Sequence, residues 1–364
     1  MLGSVPASAS PTQPLVTKVV VPSDATDVAV DPSTDKAYVV STRNKAGTNE
    51  PVSGTVAVID GKTNKVVARV GIPPATGVAV DASTDRIYVV NPYAPTVVNN
   101  VKSTGLISVI DGRTNKVTAK IPIGGAVAIG IDAKTNRIFV PGGGYTTFVI
   151  DGKTNKVIAT DPNVPYPNGV AVDAKSDTAY VSAGDEAVGG IWAINGKTNK
   201  IPGATVAETP ATVAAIGIAA AGVNAASGSV YIGIDGPAGF AVSTIHRGAK
   251  KITSTVTLAQ YNLGPAANGI AVDTASGTVY AVGTDGACSA VYAIDPAGHK
   301  IIGVANISLP IQGERRYRGQ LEHQHDLRRC RTRPGHRPRR DFRRKLQMRF
   351  QRQQRRSHPG VRLG

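Results

Sequence analysis

Apolar residues in this chain come in short runs, and polar residues return between them in a fixed order. One unit reads Gly77-Val-Ala-Val, Asp81-Ala-Ser-Thr-Asp85, Arg86-Ile-Tyr-Val-Val90, a variable stretch, Gly105-Leu-Ile-Ser-Val-Ile110, Asp111-Gly-Arg-Thr-Asn115, then Lys116-Val-Thr-Ala-Lys-Ile121. The small apolar run suits a strand buried on both faces. The β-branched and aromatic run suits a second strand, and the third alternates enough to be half buried. Asp, Ser, Thr and Asn between them bond back to nearby amides and favour turns. No helical period interrupts the pattern. The unit is predicted to be a four-stranded antiparallel meander, which cannot bury both faces alone.

The same wording recurs along the chain. Asp60-Gly-Lys-Thr-Asn-Lys65 returns at Asp111–Lys116, Asp151–Lys156 and Asn195–Lys200, and Gly77-Val-Ala-Val-Asp81 returns at Gly169–Asp173 and, as Gly-Ile-Ala-Val-Asp, at Gly269–Asp273. Copies begin near Thr26, Thr76, Ala126, Asn168, Ala214 and Asn268, with a degenerate fifth that carries Asn224-Ala-Ala-Ser-Gly228. Repeats of this kind stack as an open solenoid or close as a propeller, and four strands per repeat favour the propeller. The fold class is therefore all-β, a β-propeller of four-stranded antiparallel blades over residues 14–313. Upstream, Val16-Thr-Lys-Val-Val-Val21 resembles the fourth strand of a unit. Such an orphan strand implies ring closure, with seven blades intended and six complete as written.

Charge changes the picture only at one end. The 364 residues carry a formal net charge of +16, but from Glu314 onward 17 Arg and one Lys face four acids, leaving 23 basic and 21 acidic residues before it. A near-neutral body argues against nucleic-acid binding by residues 1–313. The basic tail, residues 314–364, reads either as a disordered arm or as translation out of frame. Back-translated with permitted codons and read one nucleotide later, Glu314–His323 opens Asn-Gly-Val-Thr-Val-Asp-Ser-Ser-Asn, the start of a seventh repeat followed by a Gly/Ser-rich linker. Residues 1–13 are expected to be a disordered leader or the remnant of a signal peptide. No stretch approaches the roughly 18 apolar residues of a membrane helix, and Cys288 and Cys330 have no disulfide spacing.

The run Gly-Val-Ala-Val-Asp, then Ile87-Tyr-Val-Val-Asn91, then Ser108-Val-Ile-Asp-Gly-Arg-Thr-Asn-Lys-Val117, resembles the YVTN-family β-propeller repeat over about residues 14–312. The resemblance implies a seven-bladed propeller of the secreted or surface-layer type. It implies no single activity, because fold is weak evidence about chemistry.

Candidate chemistry is sparse. The recurrent aspartates (Asp31, Asp81, Asp132, Asp173 and Asp273, with Asp60, Asp111, Asp151 and Asp295) read as turn caps rather than as a cation ring, because a ligand cage needs several carboxylates on one ion. His246 and His299 fall in turn regions, and a metal site needs three or four convergent ligands. Trp192 stands alone, whereas a quinone-dependent dehydrogenase would repeat it. Glu50, Glu186 and Glu208 have no histidine that the sequence places beside them. Gly142-Gly-Gly-Tyr145 lacks the Lys-Ser/Thr of a phosphate loop and reads as a hairpin.

Function is expected in loops on the rigid scaffold. The longest connections, Ser41–Ser53 and Asn91–Thr104, both join a second strand to a third and emerge on one face. Asn44, Asn49, Asn91, Tyr93, Asn99 and Asn100 are the candidate ligand-face residues; no catalytic, cofactor-binding or metal-binding residue is assigned. The expected function is a non-enzymatic, extracytoplasmic binding or surface scaffold, monomeric, without cofactor or membrane span, that takes a protein or glycan ligand. The alternative is a lyase or hydrolase acting at the central channel.

Overall fold

The computed structural model describes residues 19, 24–94, 96–98, 101–143, 145–184, 189–200, 205–208, 217–224, 226–236, 239–246, 249, 251–258, 269–273, 276–284, 289–297 and 300–307. The orphan strand (apart from Val19), the Arg-rich tail, Asn99, Asn100, His299, Glu186 and both cysteines lie outside them.

Six four-stranded antiparallel sheets follow one another along the chain. The first holds β1 (Asp24–Asp31), β2 (Lys36–Asn44), β3 (Pro51–Asp60) and β4 (Lys65–Ile72). The second holds β5 (Gly77–Asp81) and β6 (Arg86–Asn91), then a small hairpin of β7 (Thr96–Val98) and β8 (Val101–Ser103), then β9 (Leu106–Asp111) and β10 (Lys116–Pro122). The third is β11 (Gly130–Asp132), β12 (Arg137–Pro141), β13 (Thr147–Asp151) and β14 (Lys156–Asp161). The fourth is β15 (Pro167–Asp173), β16 (Thr178–Gly184), β17 (Gly189–Asn195) and β18 (Thr205–Glu208). The fifth is β19 (Gly217–Asn224), β20 (Ser229–Gly236), β21 (Gly239–Ile245) and β22 (Ser254–Thr257). The sixth is β23 (Gly269–Val272), β24 (Val279–Thr284), β25 (Ser289–Ile294) and β26 (Ile301–Ile307). The first strand of each sheet lies beside the first strand of the next, from β1 and β5 through to β19 and β23.

The core is divided among the gaps between sheets. Tyr38, Val40, Val56, Val58, Val70 and Ile72 of the first sheet meet Val78, Ile87, Val89 and Ile110 of the second. Tyr88, Val90, Ile107 and Val109 then face Ile138 and Ile150 of the third. Residues 87 to 90 thus alternate between two neighbouring sheets, which is why the run is apolar at every position and not at every second one. Similar clusters fill the gaps from third to fourth, fourth to fifth and fifth to sixth sheets. Each aliphatic side chain so buried contributes about 1.5–3 kcal/mol. The outer strand β4 has buried and exposed positions in alternation, as expected of a strand with one wet side.

Two refrains make two turns, and the turns hold each other. Asp31 Oδ1 accepts the Ser33 amide at 2.8 Å and its hydroxyl at 2.6 Å, and the turn ends on Asp35 with φ 55°. Asp60 Oδ1 accepts the Thr63 amide at 2.7 Å and hydroxyl at 2.9 Å, and that turn ends on Asn64, also at φ 55°. Asp and Asn tolerate this left-handed conformation better than other side chains. The Gly61 amide then donates to Asp35 O at 2.7 Å, a bond repeated by Gly112 to Asp85, Gly152 to Asn136 and Gly196 to Asp177. In the degenerate fifth copy Gly228, at φ 71°, takes the left-handed place and donates to Asn224 O at 2.6 Å. The altered wording therefore preserves the turn geometry.

Glycine at the second position of the Asp-Gly turn follows from this brace. A Cβ on Gly112 would overlap Asp85 Oδ1, and one on Gly61 would overlap Asp35 Oδ1. Gly112→Ala is expected to cost about 2–4 kcal/mol in denaturant unfolding. Gly71→Ala on β4, where an added Cβ meets nothing within 4 Å, is expected to be neutral or slightly stabilising.

Candidate functional site

The turns just described all lie on one face of the sheets. The opposite face collects the starts of the first strands, the connections from second to third strands, and the linkers from each fourth strand to the next sheet. This is the loop face on which the candidate residues were placed.

Its framework is tied down by side chains. The peptide of Ala75, in the linker between the first two sheets, is gripped twice by Thr42: Ala75 N donates to Thr42 Oγ1 at 2.9 Å, and Thr42 Oγ1 donates to Ala75 O at 2.8 Å. Thr26 Oγ1 donates to the same carbonyl at 3.2 Å. Asn91 Nδ2 donates to Pro73 O at 2.9 Å and Pro74 O at 3.2 Å, while its Oδ1 accepts the Ser108 hydroxyl at 2.7 Å. Asn91 is fully buried. Its amide is taken up by the linker and by Ser108, so in this structure it acts as a linker clamp. Two linker carbonyls placed above the sheet need donors, and Asn91 supplies them.

The other candidates separate. Asn44 ends β2 in an exposed position, and Asn49 sits exposed in the short loop beyond it. The strands extend further into this connection than the sequence suggested, leaving only residues 45–50 as loop. That loop is shaped by Lys45 N to Glu50 O at 2.8 Å, by Gly47 at φ 78°, and by an exposed Lys45–Glu50 ion pair at 3.5 Å. Such a pair adds little stability. Tyr93 is 64% exposed, beside the buried Ala94 that anchors its loop. Asn99 and Asn100 belong to the residues that are not described.

Two further tyrosines on this face escaped the sequence reading. Tyr145, on the hairpin between β12 and β13, is 52% exposed, and Tyr166, on the linker into β15, is 44% exposed. Their ring centroids are 5.1 Å apart with a 50° tilt, within the range of favourable aromatic pairs. Tyr166 has φ 45°, and it is the one non-glycine residue among those described that adopts a positive φ outside the repeat turns. A bulky residue there costs on the order of 1–2 kcal/mol. Buried Val164 and Pro167 on either side hold the linker in place while the ring stays out. The signal in the sequence was Pro165-Tyr-Pro167, where neither neighbour is a turn residue of the repeat.

Asp27 was also missed. It stands where Gly77 begins the second copy, and its carboxylate accepts the amides of Val28 and Val78, both at 2.8 Å. Partial desolvation pushes its carboxyl above the usual range, more strongly than these two amides pull it down. It links the first strands of adjacent sheets. On the opposite face, the Thr63, Thr114 and Thr154 amides hold the carboxyls of Asp60, Asp111 and Asp151 below the usual range, as turn caps require. Among the described residues no three His, Cys, Asp or Glu side chains converge as metal ligands, and no helix is long and apolar enough to cross a membrane.

Comparison with solved structures fits this geometry. The chain is similar to the structure of U3-55K (8% identity, TM-score 0.59, covering 78% of this chain and 82% of that one). It is similar to hydrazine synthase from Kuenenia stuttgartiensis (14%, TM-score 0.59, 80% of each chain). It also resembles the RRP9 WD40 repeats (8%, TM-score 0.60, 78% and 81%). No protein-family model matches the chain, and no curated protein sequence does.

If Asn91 is a clamp, Asn91→Ala leaves the Ser108 hydroxyl and two linker carbonyls without their partner, and a loss of about 1–3 kcal/mol is expected. Tyr93→Ala, on the same connection, is expected to change stability by less than about 0.5 kcal/mol. Paired chemical-denaturation curves check both. The structures and their repeats together make the chain a β-propeller with six described blades.

Proposed function

We propose that the chain is a non-enzymatic binding scaffold whose loop face receives a protein or glycan ligand outside the cytoplasm. The observation that carries this reading is the exposure of Tyr93, Tyr145 and Tyr166 on the connections of consecutive blades, all on one face. Tyrosine offers a rigid, amphipathic contact at low entropic cost, and it is enriched where surfaces bind. Tyr166 is held outward at the expense of backbone strain, and strain of this kind gathers at functional positions. The side chains of Asn44 and Asn49 supply donors and acceptors on the neighbouring blade. The likeness to the RRP9 WD40 repeats is compatible with this role, though it speaks for fold alone. Placement outside the cytoplasm rests on the resemblance of the repeats to secreted and surface-layer propellers.

The test is binding by the immobilised chain against extracellular protein and glycan panels, followed by Tyr145→Ala and Tyr166→Ala. Each substitution is expected to weaken capture at least about tenfold, as for an aromatic anchor, with an unchanged melting temperature. Undiminished capture by the double substitution would remove the loop face from the function.

A further inference from the structure

Uncharged surface is gathered at the loop end of the third blade. Three segments lie there: residues 123–129 leading into β11, residues 142–146 between β12 and β13, and residues 162–166 leading into β15. They contain no Asp, Glu, Lys, Arg or His. The connections from second to third strands in the first, second and fourth blades carry Lys45 and Glu50, Lys102, and Asp185 and Glu186. Asp161, which precedes the third segment, accepts the Asn163 amide through Oδ1 at 2.9 Å and so caps the linker's own turn.

The floor of this surface is bare backbone. Val127 N donates to Pro141 O at 2.9 Å and Gly142 N to Thr146 O at 2.8 Å, which pins the first linker to the hairpin. Gly125, at φ 64°, comes so near that a Cβ on it would sit 2.8 Å from Gly143 N. A Cβ on Gly142 would sit 2.7 Å from Phe148 Cε2. Neither position can carry a side chain without displacing its neighbour, so the peptide groups of half-buried Gly125 and exposed Gly143 remain uncovered by side chains of their own. Tyr145 rises from the same hairpin and meets Tyr166 at a tilt of 50°. The tilt keeps the rings from closing face to face, and each stays about half exposed.

Wet aromatic rings, open peptide groups and no charge select a ligand that is itself uncharged and combines apolar C–H faces with hydroxyls. A pyranose ring has both: its C–H face stacks on a tyrosine, and its hydroxyls bond to backbone N–H and C=O. A charged peptide or an acidic polysaccharide meets no complementary charge here. The uncharged area is confined to one blade, which suits a few sugar units better than a protein face of about 800 Å² per partner. Taking the loop face as the binding face proposed above, we infer that its third-blade end receives a neutral saccharide. Tyr145 and Tyr166 stack on the sugar, and the backbone at Gly125 and Gly143 takes its hydroxyls. The rigid floor lowers the ordering cost of binding.

The test offers the full chain immobilised neutral hexose oligomers, the same oligomers bearing uronic or sulfate groups, and the extracellular protein panel. Capture of neutral oligomers is expected, changing by less than about twofold between roughly 0.05 and 0.5 M NaCl. A Cβ on Gly143 would lie 3.5 Å from the nearest atom beyond its chain neighbours. Gly143→Gln is therefore expected to keep the melting temperature while cutting capture at least about tenfold. Tyr145→Phe keeps capture within about threefold and Tyr145→Ala loses at least about tenfold, a pair that decides the matter if Gly143→Gln melts early. Preference for the acidic oligomers, or capture that salt abolishes, overturns the neutral-saccharide site. Capture of a protein and no glycan, lost on Tyr145→Ala/Tyr166→Ala, overturns it too and leaves the loop face as a binding face. No capture from any panel, or capture that none of these substitutions diminishes, overturns both.

Discussion

The hydrogen bond from the Gly61 amide to the Asp35 carbonyl returns as Gly112 to Asp85, Gly152 to Asn136 and Gly196 to Asp177. It joins the turn between the first two strands of a blade to the turn between the last two. Its geometry demands a left-handed residue on one side and a residue without Cβ on the other, which are the two constants of the repeated wording. With both turns locked, all four strands enter at a defined register, and a bulge follows at the same place beyond the second turn, where Val67 is the extra residue opposite Val58 and Ile59 and Ile158 the extra residue opposite Val149 and Ile150. The apolar residues of strands two and three can then alternate between the preceding and the following blade.

Blades also hold one another across the same face. Lys36 Nζ donates to Gly112 O of the next blade at 2.8 Å, Arg86 NH1 reaches Gly152 O, and Tyr231 OH donates to Pro296 O at 2.7 Å. Burial, with the Asp85 and Asp31 carboxylates nearby, pushes the Tyr38 hydroxyl up to about 12, so it stays protonated. The turn face is thereby committed to architecture. The loop face, where no refrain constrains the sequence, is left to vary and to present Tyr93, Tyr145 and Tyr166.

Period and turn chemistry made the blades legible from the sequence alone, because both are local and recur from blade to blade. Even the fifth copy, whose wording departs, was placed correctly: Gly228 satisfies the left-handed position that Asp or Asn fills elsewhere. The site was less legible for a physical reason. Asn91 looks like a surface amide in a variable loop, but its role depends on Pro73 and Pro74 crossing above it, a tertiary contact with no local signature. Tyr166 and Asp27 are single departures from the repeat, and a reading tuned to what recurs passes over what occurs once. Those departures are where specificity can reside.

Amide hydrogen exchange at the four turn glycines tests the central claim most directly. If the braces hold each blade together, the amides of Gly61, Gly112, Gly152 and Gly196 exchange as slowly as the central strand amides of Val58, Val109 and Val149, in one cooperative opening. Exchange of these glycines at the rate of exposed turns, with the strands still protected, would show that the blades stand without the brace.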